Sequence, residues 1–292
     1  MSSIKNSEIL FLYDAKMSNP NGDMDDENKP RMDKHTKTNL VSDVRLKRYV
    51  RDYLYDFKGE DIWLIQTDES KDAKERWKEI GENVEDAKNL IDVRLFGAVF
   101  TDANAGTLTG PIQFNWGYSL NRVELIKSNT ITSHFKTSGD SDSKGGAGIG
   151  KDHRVKYSLL AFAGSINSKN AEKTGLTQED MSLFDEAMIK SIPLNRTRSK
   201  IGQSPRLYLR AELDEDAFLN DLRDLISLEE EELEGIDEAR IEVKELIEYL
   251  KENKSSIQKF KFWKDKKLVT VMDGKECSLK KELEKIGDME DV

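Results

Sequence analysis

Residues 8–57 constrain the fold more than any other stretch, because they read as three elements in a fixed order. Ile9-Leu10-Phe11-Leu12-Tyr13 is a continuous apolar run within a strand predicted over 8–15. A polar loop follows over 16–38, punctuated by Asn19-Pro20, Asn21-Gly22 and Lys29-Pro30. Residues 40–57 then read as an amphipathic helix, with Ser42 or Asn39 as its cap and Gly59 ending it. At 100° per residue, Leu46, Tyr49, Val50, Tyr53 and Phe57 share the core side. Lys47, Arg48 and Arg51 fall opposite, with Arg45 at the flank. A basic stripe on the back of a helix suits phosphates, and it equally suits a solvated face.

The rest of the chain supplies partners for that unit. Residues 60–92 read as an insertion, with a short strand at Asp61–Ile65 and helical composition over 71–91 that turns Trp77, Ile80, Val84 and Leu90 inward. The apolar run Leu95–Phe100 leads into a small-residue loop. From Pro111 to Lys127, Ile112, Phe114, Trp116, Tyr118 and Leu120 alternate with polar or small residues, which predicts a strand. Residues 128–153 are polar and glycine-rich, a hairpin or loop. Val155–Ile166 is the next strand, Thr177 to about Ser191 a helix with Met181, Phe184, Ala187 and Met188 inward, and Arg206–Leu213 a further strand. Without insertions the order is βαββαβ, an α+β, ferredoxin-like order that RNA-recognition domains share. Residues 214–254 read as helices with an acidic surface, and 255–292 as a mixed tail with a small strand at Leu268–Met272.

The net charge of −10 argues against a nucleic-acid partner only until its distribution is considered. Residues 214–254 hold sixteen Asp and Glu against five Lys and Arg, a net of −11, which leaves +1 for the remainder. Within that remainder, 190–210 carries six Lys and Arg and no acid. No apolar run approaches the ~20 residues of a membrane span, and no signal-peptide core stands at the N-terminus, so a cytoplasmic protein is expected. One cysteine, Cys277, excludes an internal disulfide and a cysteine-based zinc site. His35, His134 and His153 show no metal-ligand spacing, and no metal or cofactor is expected.

Asp23, Asp25, Asp26 and Asp33 cluster in the first loop; such carboxylates bind Mg²⁺ or cleave RNA, or simply solvate a turn. Gly145–Gly150 lacks the ending of a nucleotide-binding loop and reads as a hinge. The loop Asn195–Arg206 places Arg198, Lys200 and Arg206 beside a turn at Gly202 and Pro205, which suits phosphate contact. The aromatic RNA-reading motifs of recognition domains are not evident.

Six segments carry a family resemblance: NPNGDMDDENKPRMD, LVSDVRLKRYVRDYL, VRLFGAVF, GPIQFNWGYSLNRVELI, GKDHRVKYSLLAFAGSIN and RSKIGQSPRLYLRAEL. In this order, over roughly residues 8–213, they resemble the backbone subunit of type I CRISPR Cascade complexes, most like type I-B. The resemblance implies a modified RNA-recognition fold shaped as a hand. The palm is residues 1–57, 111–127 and 154–213, the fingers 58–110, the thumb 128–153, and an acidic helical region and tail 214–292. It implies a subunit that oligomerises with copies of itself along a CRISPR RNA beside other Cascade subunits. That subunit presents the guide to target DNA in antiviral defence and does not cut. The implied RNA contacts are Arg31, Arg45, Lys47, Arg48, Arg51, Arg154, Arg198, Lys200 and Arg206, with His134 or Phe135 as a wedge. The acidic block is expected on the outer face, where charge reversal leaves RNA affinity nearly unchanged. The alternative is a type III-like subunit that cuts target RNA with an aspartate of the first loop. A CRISPR-RNA-processing nuclease is a third reading, disfavoured by the lack of a histidine site.

Overall fold

The computed structural model describes residues 4–65, 73–100, 106–127, 130–133 and 148–292. Its centre is strand β1 (Ser7–Ser18), paired antiparallel on one side with β5 (Val155–Ile166) and on the other with β6 (Gln203–Leu213). The sheet continues from β5 to β3 (Ile112–Phe114), β4 (Gly117–Ser119) and β2 (Thr38–Val41), and from β6 to β7 (Ile257–Lys264) and Asp288–Asp291.

Side chains of β1 alternate between two cores, as a strand's period of two dictates. Ile9, Phe11, Tyr13 and Ala15 pack with helices α1 (Asp43–Lys58) and α2 (Gln178–Leu194). Leu10 and Leu12 pack with residues from 214–292. A strand buried on both faces reads as an unbroken apolar run, which is why β1 was legible. Thr177 and Asp180 form the capping box that starts α2, and Met181, Phe184, Ala187 and Met188 are buried beneath it as expected. Gly59 ends α1 in the left-handed conformation, its N–H donating to Leu54 O. Ser42 occupies the cap position of α1, but its hydroxyl and N–H both donate to Asn21 Oδ1 instead of closing the helix end.

Four expectations change. Residues 111–127 form two short strands, not one, because the chain breaks at Asn115, whose side chain accepts the Trp116 N–H. Beyond the break the facing inverts: Trp116 is exposed, and Gly117 and Ser119 are buried. Gly117 must lack a side chain there, since a Cβ would lie 2.3 Å from the Phe162 ring. Asp61–Ile65 is not a strand; Ile62 and Trp63 are buried by packing, Trp63 in a satellite core with Trp77, Leu90 and Phe100. Phe57 is exposed and stacks on Tyr53 at the end of α1. Finally, 214–254 contains one α-helix, α3 (Lys244–Glu252); the rest is short strands and 3-10 turns. Leu219, Leu222, Ile226 and Leu233 imitate helical spacing and are all buried in the second core, but only a 3-10 turn over Leu222–Leu225, capped by Ile226, forms among them. The strand foreseen at Leu268–Met272 is present as Val269–Met272. Among the described residues no helix is long and apolar enough to cross a membrane.

Candidate nucleic-acid interface

Because β1 runs antiparallel to β5 and β6, its C-terminal end meets the beginnings of both. The start of α1 arrives at the same place through Asn21, and Tyr49 of α1 donates to Gln203 at the start of β6. One end of the sheet thus gathers Ser18, Val155, Gln203 and Ser42. Two backbone bonds lock it: Lys16 N–H to Gly202 O and Asn19 N–H to Ser199 O, both 2.8 Å. Gly202 has φ +101°, and a Cβ there would lie 2.3 Å from Lys16 O, so only glycine permits this approach. The antiparallel hairpin Thr130–Ser133 with Gly148–Lys151 springs from this rim, immediately before β5.

Two of the helix cations predicted to face outward are buried. Lys47 and Arg51 are 8% and 7% exposed. Lys47 donates to Asp43 and Gln113, and Arg51 Nε lies 2.8 Å from Asp92. Both cations sit over the Phe96 ring, which the inserted segment delivers to a second face of the helix. Asp92 also accepts the N–H groups of Trp63 and Leu64, so this pair fastens the insertion to α1. A helical-wheel argument assumes one buried face, and here there are two. Arg48 is turned sideways, bonding Asp52 and Leu64 O. Arg206 lies within β6 rather than in the loop, held between Asp14 at 2.9 Å and Asp265 at 2.7 Å.

The remaining predicted cations stand at the rim or its flank. Arg31 pairs with Asp23 at 3.3 Å and lies over Trp116. Arg154 and Arg198 share the Asp152 carboxylate, and Arg154 also reaches Met17 O. Arg45 stacks 4.0 Å from the Tyr49 ring centroid. Lys200 donates to the carbonyls of Asn19 and Pro20, at 2.6 and 3.1 Å. Among the described residues neither Arg45 nor Lys200 has a carboxylate within ion-pair distance. Burial, and then the neighbouring Arg45 charge, press the Lys200 amine down to about 7. His134 and Phe135 lie outside the described residues.

Two cations converging without a carboxylate form an anion site by Coulomb's law, and a phosphate there would restore the proton to Lys200. Two opposite pH trends follow. The unfolded chain holds a proton on Lys200 up to about 10.5, the folded protein only to about 7, so the free protein gains stability as pH rises between these values. Binding of a phosphodiester takes up a proton in that window, so RNA affinity falls from pH 7 to 9. Fluorescence anisotropy over that range checks this, and Lys200→Arg is expected to flatten the profile.

Of the four aspartates of the first loop, Asp23, Asp26 and Asp33 are engaged individually, while of Asp25 only the backbone N–H is, donating to Asp23. Asp23 meets Arg31, Asp26 meets Lys29 and Lys34, and Asp33 accepts the N–H groups of His35 and Thr36. Those N–H donors and the Thr36 hydroxyl hold the Asp33 carboxyl below its ordinary value. Among the described residues no three His, Cys, Asp or Glu side chains converge as a metal site would require. Sequence reasoning missed Lys16, Lys37, Arg122 and Lys156, which line one groove beside the rim. They are scattered through the chain, and only the sheet topology assembles them.

Residues 5–248 match the family of CRISPR-associated protein Cas7. The CRISPR-associated protein Cas7 of Haloferax volcanii is 34% identical over 288 residues, covering 86% of this chain and 84% of that protein. A chain of a CRISPR RNA-guided surveillance complex, pre-nicking, superposes with a TM-score of 0.58 at 14% identity, covering 98% of this chain and 96% of that one. A chain of a second CRISPR RNA-guided surveillance complex gives 0.53 at 16%, covering 98% and 95%. The family match spans most of both cores and the whole rim, and on it the chain belongs to the CRISPR-associated protein Cas7 family.

Proposed function

We propose that the protein is the RNA-holding backbone subunit of a type I CRISPR RNA-guided surveillance complex, most like type I-B. Copies stack along one CRISPR RNA with the other subunits of the complex, present the guide to target DNA, and do not cut. The observation that carries this reading is the carboxylate-free pair Arg45 and Lys200, set at the rim beside the paired strands Thr130–Ser133 and Gly148–Lys151. The strand order β6-β1-β5 followed by β3 and β4, with α1 and α2 on one face, supports a modified RNA-recognition fold. In that fold bases stack on the open sheet face. Here residues 214–292 cover it, so RNA runs along the rim.

Arg45 and Lys200 bind phosphate directly, and Arg154 and Arg198 follow by releasing their shared Asp152. Arg31 flanks the path. Lys47, Arg51 and Arg206 act as structural ions. Sequence is read by base pairing of the guide, since backbone cations carry no sequence information. The test of the non-catalytic role is labelled complementary RNA added to guide-loaded protein with Mg²⁺, beside a chelated control. The target stays intact on a denaturing gel. Metal-dependent cuts at regular spacing, lost in Asp23→Ala or Asp33→Ala, would make the protein a target-cutting subunit instead.

A further inference from the structure

The acidic block is not remote from the basic surface. Residues 229–238 pass the end of the sheet as a strap of bends closed by a 3-10 turn at Ile236–Glu238: Arg122 N–H donates to Glu231 O at 2.8 Å, and Arg122 bridges Glu232 in parallel register. Leu233 and Ile236 are buried and pin the strap in place. It forms one wall of a groove of about 690 Å³, presenting Glu230, Glu232, Glu234 and Glu238. The same groove is lined by Lys16, Lys37, Arg122 and Lys156, with Glu124 beside them. Lys156 pairs with Glu124; the other three cations, and the four strap glutamates, make no ion pair among the described residues. Charges of both signs therefore line one groove, most of them without an ion-pair partner. Lys37 also lines a smaller pocket in the first loop, where Lys29, Arg31 and Lys34 are paired with Asp23 and Asp26, so Lys37 is the cation there without an ion pair among the described residues.

We infer that Lys16, Lys37, Arg122 and Lys156 form a second contact surface for single-stranded nucleic acid, which the strap glutamates screen from polyanions that are not already anchored at the rim. The inference rests on the proposed RNA-holding role. Carboxylates within a Debye length of unpaired cations cancel most of their long-range field, while a strand tethered nearby at Arg45 and Lys200 still reaches them at contact range. The strap thus costs affinity for generic nucleic acid and little for a strand held at the rim.

The test is anisotropy with a labelled single-stranded RNA lacking any CRISPR repeat, across a salt series. Full-length Glu230→Gln/Glu232→Gln/Glu234→Gln protein is expected to bind roughly three- to tenfold tighter at low salt, with a steeper salt dependence. Adding Lys37→Ala and Arg122→Ala to that triple variant is expected to remove the gain. A control triple on the helix remote from the groove, Glu245→Gln/Glu248→Gln/Glu252→Gln, makes the same change in net charge and is expected to gain little. Equal gain in the control, a gain that survives the two alanines, or no gain in the strap variant would each overturn the inference. An unchanged affinity in Arg45→Glu would instead overturn the rim reading, so the two failures are distinguishable.

Discussion

Arg45→Glu is expected to weaken binding of single-stranded RNA by about a hundredfold per bound copy at low salt. The substitution removes one cation and places an anion beside Lys200, whose amine is already strained by burial and by Arg45 itself. The salt dependence falls with it: each phosphate contact on a single strand contributes about 0.7 to the slope of log affinity against log salt. Arg45 has no carboxylate partner to orphan, but its guanidinium packs on the buried Tyr49 ring and its Nε is buried, so Arg45→Met, which keeps much of that packing, is measured beside it to separate lost charge from lost fold. The check is anisotropy with matched circular dichroism. An unchanged slope would remove Arg45 from the RNA path.

Asp92→Ala has the opposite profile. It leaves the Arg51 guanidinium buried without its anion, and it strips the acceptor from the Trp63 and Leu64 N–H groups. Breaking one partner of a buried ion pair costs about 3–5 kcal/mol, which for a chain of this size lowers the melting temperature by roughly 10 °C. The damage centres on the junction of the insertion with α1, where Arg51 also packs on Phe96. Protein that remains folded is expected to keep the wild-type salt slope for RNA, as is Arg51→Met. If Arg51→Met melted normally but lost RNA affinity, Arg51 would be a phosphate contact, as its position on the helical wheel implies, and not a structural ion.

That contrast shows where sequence reading works and where it stops. β5 is legible to the residue, and β1 and β6 to within three residues at one end, because both their faces are buried, so composition alone marks them. The start of α2 is legible because Thr177 and Asp180 satisfy each other within three residues. The loss of facing beyond Asn115 is not legible, since the alternation of residue types runs on past the point where the backbone breaks. The roles of the cations depend on partners distant in the chain. Arg51 meets an aspartate 41 residues away, and Arg206 meets one 192 residues away. Arg45 and Lys200 lack such a partner among the described residues, a property no local pattern encodes. The groove of Lys16, Lys37, Arg122 and Lys156 is invisible for the same reason. The family, by contrast, was readable from ordered segments of sequence, and the match over residues 5–248 bears it out.

The acidic surface changes meaning once the strap is placed. A block of net −11 looks like a solubility face when only its composition is known. Its glutamates at 230, 232 and 234 instead line one groove with Lys16, Lys37, Arg122 and Lys156. The remaining acidic residues of the block include Glu245, Glu248 and Glu252, which are exposed on α3.

The central claim, that copies of this chain assemble along one RNA strand, is tested most directly by native mass spectrometry of the protein on single-stranded RNAs lengthened in small steps. The account predicts that the number of bound copies rises by one at a fixed nucleotide increment, and that Arg45→Glu abolishes the ladder. One copy per RNA at every length would contradict it.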